Sequence, residues 1–299
     1  MMAAELRGRV RHDEPMARYT SWRVGGPARR FFEPADTEDL AAFMAGLPAD
    51  ESVFWFGLGS NLLVRDGGIA GTVIHTQRGL SVLDADSEGI VRAGAGVACA
   101  KVARFCGRRG LQGAEFLAGI PGTVGGALAM NAGAWGGETW EYVREVETLD
   151  RHGTIRRRRP QDYEVSYRSV RGPEGEWFTA ATFVFRPGGD PVGLSERVRE
   201  LLAQRGRTQP TGQASCGSVF RNPTGDHAAR LIEATGLKGE CIGGACVSEK
   251  HANFIINTGD ATAADIEALI RLVQERVEAA QGVRLQPEVR IVGEVESNE

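Results

Sequence analysis

The chain has 299 residues, of which 42% are hydrophobic and 25% charged, with 35 basic against 39 acidic side chains and a net charge of -4. That balance is that of a soluble globular protein with length enough for two or three compact units. It excludes the basic footprint of a nucleic-acid binder, and no run approaches the ~20 apolar residues of a membrane span.

The N-terminal stretch, with Glu5, Arg7, Arg9, Arg11, Asp13 and Glu14, lacks a signal-peptide core. Tyr19 to Ala28 reads as a strand ending in the turn Gly25-Gly26-Pro27, and Thr37 as the N-cap of a helix that buries Leu40, Phe43, Met44 and Leu47. Val53 to Phe56 is a short buried strand running into Gly57-Leu58-Gly59-Ser60-Asn61. This is not G-x-G-x-x-G and no helix of normal length follows, which argues against a Rossmann domain. Leu62 to Val64 and Thr72 to Ile74 read as further strands around the turn Asp66-Gly67-Gly68. Ile90 to Gly96 is a strand, and Val97 to Arg109 a helix presenting Val102, Ala103, Phe105 and Cys106 inward.

Gly113 to Gly137 follows, with eight glycines in 25 residues and almost no charge. It is poorly suited to a regular helix or a solvated loop, whereas its backbone N–H groups suit a diphosphate. A lone Gly-Gly pair would more simply be a packed core turn; the second Gly-rich turn at Gly57 reverses that preference. Next come a hairpin, Tyr142 to Leu149 with Gly153 to Ile155, and a strand, Trp177 to Phe185. Arg156 to Arg159 reads as a solvated basic face. After the break at Pro187 to Pro191 a helix spans Val192 to Arg205. Ala228 to Thr235 is a helix closed by Gly236, His251 to Asn257 a strand, and Thr262 caps a long helix with the stripe Ile266, Leu269, Ile270, Val273 and Val277. Val289 to Val292 is a final strand. The five cysteines, Cys99, Cys106, Cys216, Cys241 and Cys246, form no C-x-x-C pair and have no histidine at metal-ligand spacing, so no metal site is expected. An odd count without pattern fits a reducing compartment, and the chain reads as cytoplasmic.

Five separated motifs, in this order, resemble the UDP-N-acetylenolpyruvoylglucosamine reductases of peptidoglycan precursor synthesis: Trp22 to Ala28, Gly57 to Leu63, Gly119 to Ala127 with Asn131 to Ala134, Gly217 to Pro223, and Pro287 to Arg290. The resemblance covers roughly Tyr19 to Val292. It implies an α+β fold: a two-part FAD-binding region of the vanillyl-alcohol-oxidase (PCMH) type over 15–187, with subdomains about 15–76 and 77–187, then a smaller α+β substrate-binding domain over 205–292. Non-covalent FAD would lie on Gly57, Leu58, Gly59, Ser60, Asn61 and Leu62 and on Gly119, Pro121, Gly122, Thr123, Gly125, Gly126 and Ala127. NADPH would supply hydride, which passes to C3 of the enolpyruvyl ether of a UDP-sugar while a proton reaches C2.

The family's proton donor corresponds to Ser218, the residues at the substrate carboxylate and developing enolate to Arg168 and Glu288, and positions near the nucleotide end to Asn222 and Arg290. On the residues alone, Ser218 would be a turn serine, Arg168 a surface arginine and Glu288 a strand-end carboxylate. None of the four tyrosines, Tyr19, Tyr142, Tyr163 and Tyr167, lies between Arg168 and Ser218, so the chain resembles the branch without a tyrosine loop. Arg221 stands where lysine is more usual, keeping charge but changing its geometry. Two rival readings are a flavin alcohol oxidase, which needs neither Ser218 nor Pro287 to Arg290, and a catalytically dead nucleotide-sugar sensor, which needs no acid at C2. His75, the histidine nearest the glycine turns, reads as a strand-end residue. Beside NADPH and the UDP-sugar, neither nucleic acid nor a membrane is expected as a partner.

Overall fold

A computed structural model describes residues 6–296; of the N-terminal charges, Glu5 lies outside the described residues. The first strands are β1 (Arg9–Pro15), β2 (Pro27–Glu33), β3 (Val53–Phe56), β4 (Leu62–Val64), β5 (Ile69–His75), β6 (Leu83–Ala85) and β7 (Ile90–Gly94). They are followed by β8 (Gly133–Ala134), β9 (Gly137–Glu138), β10 (Val143–Asp150), β11 (Ile155–Arg158), β12 (Glu164–Ser166), β13 (Ser169–Arg171) and β14 (Glu176–Val184). The last are β15 (Cys241–Ile242), β16 (Ala245–Val247), β17 (Ile255–Asn257) and β18 (Arg290–Val292). The helices are α1 (Thr37–Ala45), α2 (Cys99–Gly107), α3 (Val124–Met130), α4 (Pro191–Thr208), α5 (Ala228–Ala234) and α6 (Ala263–Gln281). The mixture is the α+β class expected. By packing, the chain divides into unit 1 (1–11, 31–58 and 71–204) and unit 2 (12–30, 59–70 and 205–299).

Unit 1 is built on an antiparallel sheet of order β11-β10-β14-β7-β6. Its central strand β14 buries Ala180, Ala181 and Phe183, and α2 adds Val102, Ala103, Phe105 and Cys106 to the same core. Cys99 and Cys106 are the small core residues expected, and burial pushes both thiols up to about 12. A second core joins Leu40, Phe43 and Met44 of α1 to Phe32 and Ile74, with the rings of Phe32 and Phe43 stacked 3.8 Å apart. Asp36, rather than Thr37, caps α1: its carboxylate accepts from Asp39 N–H at 2.9 Å, which makes Thr37 the first helical residue. The basic run lies on the edge strand β11, where Arg156 meets Asp150 at 3.0 Å and Arg158 meets Glu176 through Nε at 3.1 Å.

The glycine-rich centre does form a helix, against the expectation. Thr123 Oγ1 accepts from Gly126 N–H at 3.5 Å to begin α3, and Asn131 closes it in the left-handed region at φ 45. Glycine is required there because a Cβ on Gly125 would sit 2.9 Å from that of Ala95. Close packing has overridden helix propensity.

Unit 2 is organised by α6, whose cap Thr262 and buried stripe Ile266, Leu269, Ile270, Val273 and Val277 are as the pattern predicts, with Asp265 completing a capping box. Asp66 adds a second cap, its two oxygens accepting from Ala263 and Ala264 N–H at 3.0 and 2.9 Å. Arg65 grips Glu267 of α6 with both arms, Nε to Oε2 at 2.9 Å and Nη2 to Oε1 at 3.1 Å. The segment between β4 and β5 is thus held onto α6, and β4 pairs in parallel with β18.

Three expectations need correction in this unit. No strand forms from Tyr19 to Val24, because Thr20 Oγ1 donates to Val24 O at 2.8 Å and Arg23 takes φ 60, a local side-chain bond displacing a ladder. Trp22 is instead a buried anchor whose Nε1 donates to Ile255 O at 2.7 Å. The strand expected from His251 begins only at Ile255, after a turn closed by Phe254 N–H on His251 O at 3.0 Å. Cys241 and Cys246, read as unpatterned, are opposite each other in the β15–β16 hairpin and joined as a disulfide with Cα atoms 4.1 Å apart. A C-x₄-C spacing becomes a pair only once the turn Gly243-Gly244 sets the register.

Candidate active site

In unit 1, β3 runs parallel to β5 with Phe56 opposite His75, and the chain leaves β3 directly into Gly57. A Cβ at Gly57 would lie 2.2 Å from Thr123 Oγ1, so this part of the first glycine turn rests on the residue that begins α3. The two turns singled out from sequence therefore meet at Gly57 and Thr123. Gly119 is similarly closed, its backbone covered by Ala134 and by the Trp135 ring, each 2.7 Å from where a Cβ would be. Gly126 differs: it is exposed, and the nearest atom to a Cβ there is Thr123 Oγ1 at 3.8 Å. Close packing explains Gly57, Gly119 and Gly125; at Gly126 the backbone faces open space. Pro121 is exposed, Gly122 and Leu58 half-buried, and Thr123 and Ala127 buried. The exposed main chain at Gly126 fits a diphosphate approaching backbone N–H groups.

His75 ends β5 as expected, but its setting was not foreseen. It is buried, with Nδ1 3.1 Å from Glu33 Oε1, and is packed against the rings of Phe31 and Phe56. Burial pushes its pKa down, while Glu33 and the Gly57 backbone oppose that shift. The pair thus stands under the glycine turn.

Arg168 lies in the two-residue turn Tyr167-Arg168 of the β12–β13 hairpin, at φ 53. It is not a surface arginine: Nη1 donates to Asn131 O at 3.3 Å and Nη2 to Gly133 O at 3.2 Å. Asn131 is held in turn by Glu138 Oε2, which accepts from Nδ2 at 2.7 Å, and by Trp140 N–H, which donates to Oδ1 at 3.2 Å. The motif Asn131 to Ala134 therefore fixes the direction of the guanidinium. Tyr167, 49% exposed, lies beside it with its ring centre 5.3 Å from the guanidinium carbon.

In unit 2, Gly59 takes φ 59, and a Cβ there would lie 2.1 Å from Tyr19 O. Ser60 and Asn61 are half-buried and Leu62 buried. Cys216, buried with its thiol pushed up to about 12, donates Sγ–H to Leu62 O at 3.4 Å. Two residues on, Ser218 is half-buried after Gly217, which takes φ 74 and has no atom within 4 Å of a Cβ position. The loop beyond Ser218 is clamped by Asn253: its C=O accepts from Val219 N–H at 2.9 Å, its Oδ1 from Phe220 N–H at 2.9 Å, and its Nδ2 donates to Phe220 O at 2.8 Å.

Glu288 N–H donates to Val219 O at 2.7 Å, and Phe220 bridges Pro287, so the Ser218 loop and the segment carrying Glu288 are directly bonded. Arg290 and Asn222 are exposed, and Asn222 Oδ1 accepts from Ala228 N–H at 3.1 Å, capping the start of α5. Arg221 Nε is buried with no hydrogen-bond partner among the described residues. Sequence reasoning missed the clamp at Asn253 and the anchor at Cys216; the only sign of either was a polar or thiol residue beside an apolar run.

Residues 28–158 match the family described as FAD binding domain, and residues 209–292 the family described as UDP-N-acetylenolpyruvoylglucosamine reductase, C-terminal domain. Among relatives, the UDP-N-acetylenolpyruvoylglucosamine reductase of Alkalilimnicola ehrlichii is 64% identical over 300 residues, covering 99% of this chain and 100% of the relative. That of Methylococcus capsulatus is 61% identical over 295 residues, covering 99% and 97%. The crystal structure of the Thermus caldophilus UDP-N-acetylenolpyruvylglucosamine reductase superposes with a TM-score of 0.81 at 32% identity, covering 96% of this chain and 99% of that one.

Proposed function

Because the chain belongs to the UDP-N-acetylenolpyruvoylglucosamine reductase family and is a flavin-dependent oxidoreductase, we propose that it reduces UDP-N-acetylenolpyruvoylglucosamine to UDP-N-acetylmuramate with NADPH, as a step of peptidoglycan precursor synthesis in the cytoplasm. FAD would be held without a covalent bond on Gly57 to Leu62 and on Gly119 to Ala127, and when bound would supply the hydride that C3 of the enolpyruvyl ether receives. By role, 15–187 is the FAD-binding region and 205–292 the substrate-binding domain.

Hydride arrival at C3 drives the π electrons toward C2 and the carboxylate, so the protein must hold a growing anion and deliver one proton. Arg168 takes the carboxylate: its backbone-anchored guanidinium offers fixed positive charge without reorganising as charge develops. Ser218 gives its hydroxyl proton to C2, the open space at Gly217 allowing close approach. Glu288 stands beside the developing enolate, and Asn222 and Arg290 bind toward the nucleotide. The observation that carries this reading is the bond from Glu288 N–H to Val219 O, which holds the proposed acid and carboxylate to one another's main chain. An alcohol oxidase needs neither Ser218 nor Pro287 to Arg290, and a sensor needs no acid at C2.

The test is substrate-dependent NADPH consumption by the purified protein, with UDP-N-acetylmuramate identified as product by mass. NADPH oxidation with oxygen alone, unaffected by the enolpyruvyl ether, would remove the proposal.

A further inference from the structure

Asn61 sits in the first glycine turn, where the family resemblance implies flavin, and its side chain reaches the Glu288 segment. Nδ2 donates to Glu288 O at 3.0 Å, across 227 residues of sequence. The Asn61 carbonyl meanwhile accepts from Arg290 N–H at 3.1 Å. From Leu62 onward, β4 pairs with β18 by ordinary parallel rungs, Leu62 opposite Arg290. The side-chain amide of Asn61 imitates a peptide and supplies one more rung at the end of that ladder, where Glu288 would otherwise face the turn without it.

The bonds around Asn61 form a closed circuit within unit 2. Glu288 is tied by its carbonyl to Asn61 and by its N–H to Val219. Val219 follows Ser218, and Cys216 two residues before Ser218 is tied by its thiol to Leu62 O, the residue after Asn61. The glycine turn, the Ser218 loop and the Glu288 segment are therefore cross-linked in pairs. An Asn is needed at position 61 because the bond requires a short neutral donor; aspartate would set a carboxylate oxygen against the Glu288 carbonyl.

We propose that Asn61 is a positioning residue for the reduction of the substrate, orienting Glu288 against the Ser218 loop through its side-chain amide, rather than a side-chain contact to flavin. This rests on the function proposed above. The test uses Asn61→Ala and Asn61→Leu; leucine fills nearly the same space without the donor. The FAD contact proposed at position 61 is through the main chain, which both variants keep, so any change in FAD affinity, read from flavin fluorescence on titration into the apoprotein, or in flavin reduction by NADPH is smaller than the change in reoxidation. Reoxidation by UDP-N-acetylenolpyruvoylglucosamine slows by roughly 10²-fold, the loss expected from a misplacement of about 1 Å. In the FAD-free protein, amide exchange at Glu288 to Arg290 becomes faster in both variants.

Parent-like reoxidation in Asn61→Leu would overturn the proposal, since volume alone would then suffice. Equal slowing of both half-reactions with weakened FAD would overturn it in favour of a flavin contact. If the parent itself is not reoxidised by the UDP-sugar, the proposed function fails, and unchanged amide exchange in Asn61→Ala would separately refute the bond that carries the positioning role.

Discussion

Glu267→Gln tests whether the clasp between the β4–β5 segment and α6 stabilises unit 2 by charge. The Glu267 carboxylate is 10% exposed and accepts from both arms of Arg65, with Arg271 Nη2 adding a third bond at 2.5 Å. The bonds from Arg65 hold its pKa down from 4.5 to about 2, against the upward push of burial. The difference, 4.5 − 2 = 2.5, corresponds at 1.36 kcal/mol per unit to about 3 kcal/mol. Arg65 and Arg271 are 32% and 64% exposed, so solvent screening reduces this to about 2 kcal/mol.

The sign follows from a folded-state pKa below the unfolded one: the contribution is complete above pH ~4.5 and is lost as pH falls through about 2. Glutamine keeps shape and one acceptor but not charge. Urea unfolding of parent and Glu267→Gln should therefore differ by about 2 kcal/mol near pH 7 and converge toward pH 2. A deficit of the same size at both ends would mean that packing, not charge, is responsible.

Ser218→Ala should reduce its flavin with NADPH at near the parent rate, while reoxidation by the UDP-sugar slows by ~10²–10⁴-fold, measured by stopped-flow absorbance; equal slowing of both steps would demote Ser218 to a positional residue. Arg168→Lys cannot reach the carbonyls of Asn131 and Gly133 together, so turnover should fall while FAD content, read from the visible spectrum, is kept. Acid precipitation should leave the yellow colour in the supernatant, and colour in the pellet would contradict non-covalent binding. Gly57→Ala drives a Cβ to 2.2 Å from Thr123 Oγ1, so it should lower the thermal unfolding temperature by more than Gly126→Ala does, whereas Gly126→Ala should weaken FAD binding, read by titration, while leaving unfolding near that of the parent.

What was legible in the sequence were the elements whose signals are local. α6 announces its start by Thr262 and its buried face by spacing, α2 its inward face by spacing too, and β14 itself by an apolar run. Less legible was anything decided by a distant partner. Trp22 looks like a strand residue until Ile255 O is available to it, whereas Asp36 and Thr37 are a local tie between two good caps. The glycine turns were visible as composition, but which glycines serve packing depends on Thr123, Tyr19 and Ala95, which no local window contains. Asn61 shows the same limit at the candidate site. Nothing in its Gly-rich turn announces that its amide donates to Glu288 O, 227 residues away.

The parallel pairing of Leu62–Val64 with Arg290–Val292 also dictates when the molecule can be completed. During synthesis the residues of unit 1 leave the ribosome and can collapse on local antiparallel contacts while the segment around Gly59 still has no neighbour strand. Loop closure over more than two hundred residues is then the late and slow event, as expected for a contact of such high sequence separation. A chain that folds as it is made therefore holds its first glycine turn half-built until Arg290–Val292 has been added.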